Sequence, residues 1–434
     1  MTEQQTTIAI AALIVPFVVA YWWRAARDEK RATRTFEHTV ATGLEPVSLH
    51  PSIDPNRCIA VGTCVDACLE GEILGIVNGT AELIHPTRCI GHGTCAAACP
   101  VDAITLVFGT ERRGVDIPEV RDTFETNVER IYIAGELGGM GLIRNAVTQG
   151  KEAIDNIAKR LDSSNDPAVY DVAIVGAGPA GISATLEAAK KGLRYVTLDQ
   201  YDIGGTVRSY PRHKIVMTQP MDLPLYGKCR FREIEKEQLL AIWEEVIGKT
   251  GVAINTGEKV ETVARRNGHY EIATSKAAYA ARVILLAIGR RGTPRKLGVP
   301  GEETSKVTYN LIEPKQYAER SVLVVGGGDS AVEAALAIAK QPGSDVTLSY
   351  RKSAFARVKD KNRDSLEEAQ GARRVDVVLE SQVQTIAPES VVLDAAGRPL
   401  EIRNDFVLVF IGGELPTAFL RKLGVRIDTK FGEA

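Results

Sequence analysis

Cysteine is scarce in this 434-residue chain outside one short stretch. Six of its seven cysteines lie between residues 58 and 99, and only Cys229 lies elsewhere. This clustering argues against a scattered disulfide framework and favours metal ligation by thiolates, which stay reduced in the cytoplasm. Cys229 is the remaining candidate nucleophile, but no partner cysteine follows it, and single buried thiols are more often inert than reactive.

An excess of charge of either sign is also absent. The chain has 53 basic and 55 acidic residues, which gives a formal net charge of −2. This balance excludes the strongly basic surface of nucleic-acid-binding proteins, so we expect no nucleic-acid partner. With 44% hydrophobic residues and 39 glycines, the composition is that of an α/β protein, and the length allows two or three domains.

Long apolar runs are missing except at the N-terminus, where residues 6–23 carry no charge. This 18-residue run is at the short end of a membrane span. An aromatic trio at residues 21–23 would form the interfacial belt, and it is followed by Arg24, Arg27, Lys30, Arg31 and Arg34. We therefore predict an inner-membrane helix over residues 6–24, cytoplasmic catalytic domains, and a linker over residues 25–50. A cleaved signal peptide is the alternative, but a basic n-region and a small-residue cleavage site are missing.

Residues 51–108 contain two copies of one cysteine pattern, C-x5-C-x3-C. The copies are CIAVGTCVDACLE from Cys58 and CIGHGTCAAACPVDAI from Cys89. Bacterial two-cluster ferredoxins carry C-x2-C-x2-C-x3-C-P, in which the fourth cysteine of each run ligates the other cluster. The region resembles such a ferredoxin domain, with the second cysteine of each run replaced by Val61 in the first copy and by His92 in the second.

The resemblance implies two iron–sulfur clusters whose ligands come from both copies. The implied ligands are Cys58, Cys64 and Cys99 for one cluster, and Cys68, Cys89 and Cys95 for the other, with His92 nearby. Three thiolates hold a [3Fe–4S] cluster or a [4Fe–4S] cluster with an open iron, and we expect the three-iron form beside Val61. His92 is either a fourth ligand, since imidazole suits iron, or a loop histidine that hydrogen-bonds near the cluster. A zinc site is the alternative, but the duplicated spacing argues against it.

Residues 171–199 have the pattern of a strand, a glycine turn, a helix and a second strand: DVAIVGAGPAGISATLEAAKKGLRYVTLD. The three glycines of GAGPAG allow a tight turn, the approach of a pyrophosphate to the helix N-terminus, and helix–strand packing. The acid that ends the second strand would accept a ribose hydroxyl. The candidate cofactor-binding residues of this segment are Gly176, Gly178, Pro179, Ala180, Gly181 and Asp199.

A second segment, SVLVVGGGDSAVEAALAIA, repeats the arrangement from Ser321. Its second strand ends in VTLSYRK, with basic residues where an acid would bind a ribose 2′-hydroxyl. Guanidinium and ammonium groups suit a 2′-phosphate, which favours NADPH over NADH; a solvated basic turn is the alternative. The candidate residues here are Gly326, Gly327, Gly328, Asp329, Ser330, Arg351, Lys352 and Arg357.

Residues 168–434 resemble the thioredoxin-reductase-like flavoproteins, in which an NADPH domain is inserted into an FAD domain. The matching motifs are GAGPAG, DIGGTVRSYP, LLAIGRRGTPRKLGVPGEE, VVGGGDSAVEAAL and FVLVFIGGELPT. The resemblance implies bound FAD and NADPH, a homodimer, and flavin contacts at Gly204, Gly205 and Gly289. The stretch before the second glycine motif lacks cysteine, as in the ferredoxin–NADP reductases and bacillithiol-disulfide-reductase-like proteins of this group.

In that group the chain closes with a strand, a Gly-Asp pair and a helix that complete the flavin site. A matching piece, FETNVERIYIAGELGGMGLIRNAVTQGKEAIDNIA, lies upstream instead, with Gly135 and with Glu136 in place of the aspartate that holds the ribityl chain. We infer a circular permutation, which close termini make feasible. The expected domains are a closing segment over 109–165, an FAD domain over 166–292, an NAD(P)H domain over 293–404 and a return strand over 405–434.

These expectations describe an α/β protein with two Rossmann-like domains, for FAD and NADPH, preceded by a small α+β ferredoxin domain and a transmembrane helix. The first functional hypothesis is an oxidoreductase that moves electrons between NADPH, FAD and two clusters, and on to a ferredoxin, a cytochrome or a quinone-linked membrane complex. The second is a disulfide or low-molecular-weight thiol reductase that depends on Cys229 or a bound thiol. The third is a membrane-tethered redox sensor.

Overall fold

A computed structural model describes residues 3–46, 49–111, 113–139, 141–161, 166–290, 294–413 and 416–433. The chain forms two compact units, Met1–Gly114 with Phe431–Ala434, and Val115–Lys430. The first unit therefore extends beyond the predicted ferredoxin domain and includes the last residues of the chain. The predicted boundary between residues 292 and 293 lies outside the described residues.

The first unit has short strands and helices beside one long helix. Its elements in chain order are α1 (Glu3–Ala41), β1 (His50–Ile53), α2 (Thr63–Asp66), β2 (Leu74–Val77), β3 (Thr80–Leu83), α3 (Thr94–Ala97) and β4 (Ile104–Val107). β1 pairs with β4 and β2 with β3, both antiparallel. The two cysteine motifs fold alike, since Gly62 and Gly93 precede α2 and α3 with φ of 78° and 79°.

Helix α1 corrects two predictions. In the described residues, no helix is both long enough and apolar enough to span a bilayer. The predicted transmembrane helix over residues 6–24 is therefore wrong, and so is the inner-membrane location inferred from it. The uncharged run would form only about 27 Å of helix, less than the roughly 30 Å of hydrocarbon in a bilayer.

The predicted linker is also wrong over residues 25–41, because α1 continues through them without a break. This half of the helix packs on β2 and on the loop after β3. Ala32 is buried against Val77 and Ile84, and the hydroxyl of Thr39 donates to the Ile84 carbonyl at 2.7 Å. Tertiary packing thus fixes a segment whose charged composition gave no sign of burial.

The second unit begins with a Rossmann-like fold. Its first elements are β5 (Val115–Pro118), β6 (Ile131–Ile133), α4 (Ile143–Arg160), β7 (Tyr170–Val175), α5 (Pro179–Lys190), β8 (Tyr195–Leu198), β9 (Ile215–Met217), β10 (Met221–Leu223), β11 (Gly227–Cys229), β12 (Glu233–Glu235), α6 (Lys236–Thr250), β13 (Val260–Arg266), β14 (His269–Thr274) and β15 (Ala278–Leu286). The sheet has the order β13-β14-β15-β7-β8, and β6 also pairs with β15. β6, β15, β7 and β8 are parallel and buried on both faces, which explains their continuous apolar sequences.

The rest of the second unit builds a second parallel sheet of order β16-β23-β17-β18-β19. Its elements are β16 (Val307–Thr308), β17 (Ser321–Val325), α7 (Asp329–Ala339), β18 (Asp345–Ser349), α8 (Asp360–Gly371), β19 (Asp376–Val378), β20 (Ser381–Ile386), β21 (Ser390–Ala395), β22 (Arg398–Arg403) and β23 (Phe406–Val409), followed by α9 (Thr417–Lys422) and β24 (Ile427–Lys430). β20, β21 and β22 form a separate antiparallel sheet. The predicted α/β fold with Rossmann-like domains is confirmed.

The placement of two segments bears on the expected domain boundaries. β6 pairs with β15, Ile131 opposite Ile284, and α4 packs so closely on α5 that a Cβ at Gly150 would lie 2.1 Å from the Ala180 carbonyl oxygen. The segment expected to close the first sheet is thus part of it, and the circular permutation remains our interpretation. The expected return strand over 405–434 needs correction, because β23 pairs with β17 in the second sheet. The end of this segment does return: Leu420 of α9 and Val425 are buried in the core of the first sheet, and β24 pairs with β5.

Candidate functional site

One candidate iron–sulfur site lies in the first unit, where three thiols from both cysteine motifs line one cavity. Cys58, Cys64 and Cys99 surround it, and Val61 lies in its wall. Two backbone amides donate to the sulfurs, from Ala81 to Cys58 at 3.4 Å and from Ala103 to Cys99 at 3.2 Å. Burial raises the pKa of Cys64. This is the thiol set that the ferredoxin resemblance implied for the first cluster.

A second candidate site contains Cys68, Cys89 and Cys95. Burial, with smaller contributions from the nearby Cys95 and Cys68, whose thiolates would repel a third, raises the pKa of Cys89 to about 11. Such thiols ionise at neutral pH only beside a metal, which deprotonates a coordinating thiol. Nε2 of His92 is buried and has no hydrogen-bond partner among the described residues, so it is free for either expected role, as a fourth ligand or as a hydrogen-bond donor to the cluster.

The zinc alternative requires ligand atoms that lie close together around one ion. Tetrahedral zinc with Zn–S bonds near 2.3 Å needs its sulfurs about 3.8 Å apart. Among the described residues, the only trio of His, Cys, Asp or Glu ligand atoms within 4.8 Å of one another is the exposed set His213, Glu235 and Glu237. No three cysteine sulfurs converge so closely, which argues against the zinc alternative.

The candidate flavin site starts at the turn between β7 and α5, where two of the three motif glycines have no space for a side chain. A Cβ at Gly176, whose φ is +109°, would lie 2.4 Å from the Ala287 carbonyl oxygen. One at Gly181 would lie 1.7 Å from the carbonyl oxygen of Gly176. At Gly178 the nearest atom would be 3.9 Å away, so the N-terminus of α5 is open on that side. Pro179 occupies the first turn of α5, where its missing N–H costs nothing.

Two further segments meet this helix N-terminus. A Cβ at Gly205 would lie 3.0 Å from the Gly178 Cα, and one at Gly135 would lie 2.9 Å from the Ala180 Cβ. Gly204 donates its amide to the Ala177 carbonyl at 2.9 Å. The fold therefore brings together glycines that are far apart in sequence around one helix N-terminus, where the helix dipole and free amides favour a pyrophosphate.

Asp199 lies directly after β8 and is buried, 9% exposed. Its two carboxylate oxygens accept hydrogen bonds from the amides of Ala177 at 2.6 Å and Tyr201 at 2.8 Å. Burial raises its pKa, and the two amide bonds oppose that rise. Each oxygen keeps a lone pair, so Asp199 can still accept a ribose hydroxyl.

A half-buried arginine that sequence reasoning missed lies near Glu136. Arg290 follows Gly289 and donates to the Asp116 carbonyl at 2.9 Å. Burial lowers its pKa, while the negative charges of Glu136 and Asp116 counteract that effect. The Glu136 carboxylate lies beside Gly289, since a Cβ there would be 4.0 Å from its oxygen. The only sequence signal for this pair was an arginine next to a motif glycine.

The second glycine motif shows the same crowding between β17 and α7. A Cβ at Gly326, with φ of +152°, would lie 2.5 Å from the Phe410 carbonyl oxygen. At Gly328 no atom lies within 4 Å of such a Cβ, so the N-terminus of α7 is open. Asp329 begins α7, followed by Ser330. The Asp329 carboxylate accepts from the amide of Lys359 at 3.0 Å and from the Asn362 side chain at 2.7 Å.

The three basic candidates follow β18 on one loop. Arg351 and Lys352 are exposed and Arg357 is half-buried. In the described parts of the chain, none of the three side chains has an ion-pair or hydrogen-bond partner. Tyr350 and Phe355 stack at the base of the loop, with ring centroids 5.2 Å apart and planes 9° apart. The loop thus presents uncompensated positive charge from a fixed base, as a 2′-phosphate requires.

The sequence profile of the pyridine nucleotide-disulphide oxidoreductases matches residues 173–432. The chain belongs to this family. A 4Fe-4S dicluster domain profile matches residues 50–100, which contain all six clustered cysteines. The chain is therefore an FAD-dependent oxidoreductase that binds FAD, NADPH and iron–sulfur clusters, as predicted.

Two relatives of this oxidoreductase are named for different activities. Bacilliredoxin reductase Bdr of Bacillus subtilis is 29% identical over 60% of this chain and 82% of its own length. A ferredoxin–NADP reductase of Ignicoccus hospitalis is 30% identical over 60% of this chain and 83% of its own. Among solved structures, bacillithiol disulfide reductase Bdr (YpdA) of Staphylococcus aureus has a TM-score of 0.54 at 26% identity, covering 60% of this chain and 81% of its own.

Despite its family name, the oxidoreductase has no pair of thiols in its second unit. Cys229, at the end of β11, is the only cysteine there and is 7% exposed. Burial raises its pKa, and the charges of Asp222 and Glu245 add to the rise. A buried thiol that resists ionisation is a poor nucleophile.

Replacing Gly327 by alanine should destabilise the oxidoreductase, because a Cβ there would lie 2.0 Å from the Tyr350 ring. Displacing the ring breaks its stack on Phe355, and the thermal unfolding midpoint should fall by about 5 °C. Gly328→Ala is the matched control. Position 328 has space for a methyl group, so the unfolding midpoint of this variant should not change. Its KM for NADPH should rise, because the methyl group blocks the approach of the phosphates. Equal midpoints for the two variants would contradict this packing.

Proposed function

We propose that this oxidoreductase takes electrons from NADPH and delivers them one at a time, through its cluster-binding unit, to a one-electron acceptor protein such as a ferredoxin or a cytochrome. The observation that carries the proposal is the combination of two glycine-bounded nucleotide sites with two three-cysteine sites in one chain. The flavin supplies the step from two-electron to one-electron transfer, and the clusters accept single electrons.

The side chains have separate tasks in this proposal. Arg351, Lys352 and Arg357 bind the 2′-phosphate and so select NADPH. The glycines at the N-termini of α5 and α7 let the two pyrophosphates approach backbone amides. Asp199 accepts a hydrogen bond from a ribose hydroxyl. Glu136 and Arg290 lie beside Gly289 at the edge of the flavin site. Oxidation of one NADPH releases two electrons and one proton, and two one-electron sites match that number.

The hydrogen-bond donors around the cysteines favour electron flow from NADPH to the clusters. The amides of Ala81 and Ala103 donate to cysteine sulfurs, and such hydrogen bonds raise a cluster's reduction potential. Replacing one thiolate per site by Val61 and His92 removes negative charge from each ligand set, which acts in the same sense. Electrons from NADPH would then pass downhill to the clusters.

The test compares acceptors in the wild type and in a cluster-free variant, Cys64→Ser with Cys95→Ser. With NADPH and cytochrome c as the probe acceptor, we expect the variant to lose at least tenfold in rate while keeping its flavin. Direct electron transfer to small oxidants such as ferricyanide serves as the control for an intact flavin site. Equal cytochrome c rates in both proteins would contradict the proposal.

Disulfide reduction is the second candidate, and the similarity to bacilliredoxin reductase favours it. It predicts NADPH-dependent turnover of a low-molecular-weight disulfide that survives loss of both clusters. It also predicts that Cys229→Ser abolishes this turnover unless the thiol is supplied by a bound ligand. We expect no disulfide turnover in the wild type or in the cluster-free variant, since Cys229 is buried and has no partner thiol.

A further inference from the structure

Two threonines connect the cysteine motifs by a reciprocal pair of hydrogen bonds. The hydroxyl of Thr63 donates to the Ala98 carbonyl at 3.0 Å. The hydroxyl of Thr94 donates to the Ala67 carbonyl at 2.9 Å. Both threonines belong to a Gly-Thr-Cys triplet, and both begin a one-turn helix. The duplicated sequence therefore makes the same contact twice, each time to the other copy.

The positions of donor and acceptor relate each bond to one cluster. Thr63 directly precedes Cys64, and Ala98 directly precedes Cys99, so the first bond joins the chain next to two thiols of the first site. Thr94 precedes Cys95 and Ala67 precedes Cys68 in the same way at the second site. Each three-cysteine site takes one thiol from the other copy of the motif, some thirty residues away along the chain. The hydrogen bond joins the two copies next to that thiol.

The acceptors explain why threonine suits this place. Ala67 and Ala98 are the C-terminal caps of α2 and α3, where carbonyls lack an intrahelical partner. A hydroxyl from the other copy satisfies each one. Each threonine hydroxyl therefore supplies a hydrogen-bond donor to a helix-end carbonyl that would otherwise lack a partner within the protein.

We propose that Thr63 and Thr94 are positioning residues, each holding the one cysteine that its cluster takes from the other copy. Thr63 fixes Cys99 beside Cys64, and Thr94 fixes Cys68 beside Cys95. This inference rests on the proposed binding of one cluster at each three-cysteine site. It assigns a role to the threonine of each triplet that the spacing of the cysteines does not disclose.

The test uses Thr63→Val and Thr94→Val in the full-length, cluster-loaded protein, with Thr63→Ser and Thr94→Ser as matched controls that keep the hydroxyl. The electron paramagnetic resonance (EPR) signal of each site is first assigned with Cys99→Ser and Cys68→Ser. Thr63→Val should alter the signal lost in Cys99→Ser, and iron should leave that site for a chelator about fivefold faster. Thr94→Val should do the same only at the other site.

The serine variants should behave as the wild type. Unchanged signals and chelation rates in both valine variants would overturn the inference, as would equal effects at both sites. A wild type that holds no iron–sulfur clusters, or holds them without these cysteines, would instead contradict the proposed function. Far-ultraviolet circular dichroism of each variant separates a local effect from loss of the fold.

Discussion

Replacing Cys99 by serine should remove the cluster held by Cys58 and Cys64, although these two cysteines lie in the other copy of the motif. The three thiols line one cavity, and a site with only two thiolates cannot hold a three-thiolate cluster. The expected result is loss of one EPR signal and of the iron of one cluster, with the second signal intact. Iron analysis and EPR of the purified protein measure both.

Cys68→Ser is the matched control, because it is the equivalent position of the first copy. It should remove the other signal, the one that also disappears in Cys89→Ser and Cys95→Ser. If each motif bound its own cluster, Cys99→Ser would instead share its lost signal with Cys89→Ser and Cys95→Ser. That pattern would contradict the exchange of ligands between the copies.

Replacing both Arg351 and Lys352 by glutamine should raise the KM for NADPH by about 100-fold and leave the KM for NADH nearly unchanged. Hydrogen bonds to a charged phosphate each contribute roughly 1.5–3 kcal/mol, about tenfold or more in affinity. Neither side chain has an ion-pair partner among the described residues, so the substitution strands no buried charge. Steady-state kinetics with each nucleotide measures the ratio.

Arg398→Gln is the control for a general loss of positive charge, since Arg398 is an exposed residue of β22 in the same part of the chain. It should leave both KM values unchanged. If the double variant weakens NADPH and NADH equally, the basic loop does not recognise the 2′-phosphate. An unchanged KM for NADPH would mean that the loop is a solvated turn.

The cluster sites were the most predictable part of the protein. The duplicated spacing, compared with the ferredoxin pattern, predicted a set of Cys58, Cys64 and Cys99, and these three thiols do line one cavity. Ligand spacing is a local property of short loops, so the sequence carries it almost completely. Thr63 and Thr94 were not predicted, because a hydroxyl bonded across two copies depends on how the copies pack.

The N-terminal helix shows the opposite case. An uncharged run followed by aromatic and basic residues matched the pattern of a membrane anchor, but α1 continues for 39 residues and buries Ala32 in the first unit. Composition within a window cannot report that a charged helix packs on a neighbouring strand. β23 is similar: residues 405–434 were expected to return to the FAD domain, but β23 pairs with β17 in the second parallel sheet.

At the nucleotide sites the sequence predicted the glycines, Asp199, Glu136 and the basic loop, but it did not point to Arg290. Positive φ values and close backbone approaches require glycine, so Gly176, Gly181 and Gly326 are visible in the sequence. Arg290 is different, because its partial burial near Glu136 arises only when β6 and β15, which are distant in the sequence, meet in one sheet. No local pattern distinguishes it from an exposed arginine.

The most direct test of the account is to mix the cluster-loaded protein with NADPH under anaerobic conditions and follow the flavin absorbance and the cluster EPR signals over time. The account predicts that the flavin bleaches first and that the cluster signals of the wild type then change at a rate faster than turnover with cytochrome c. Flavin reduction that leaves both clusters oxidised would contradict it.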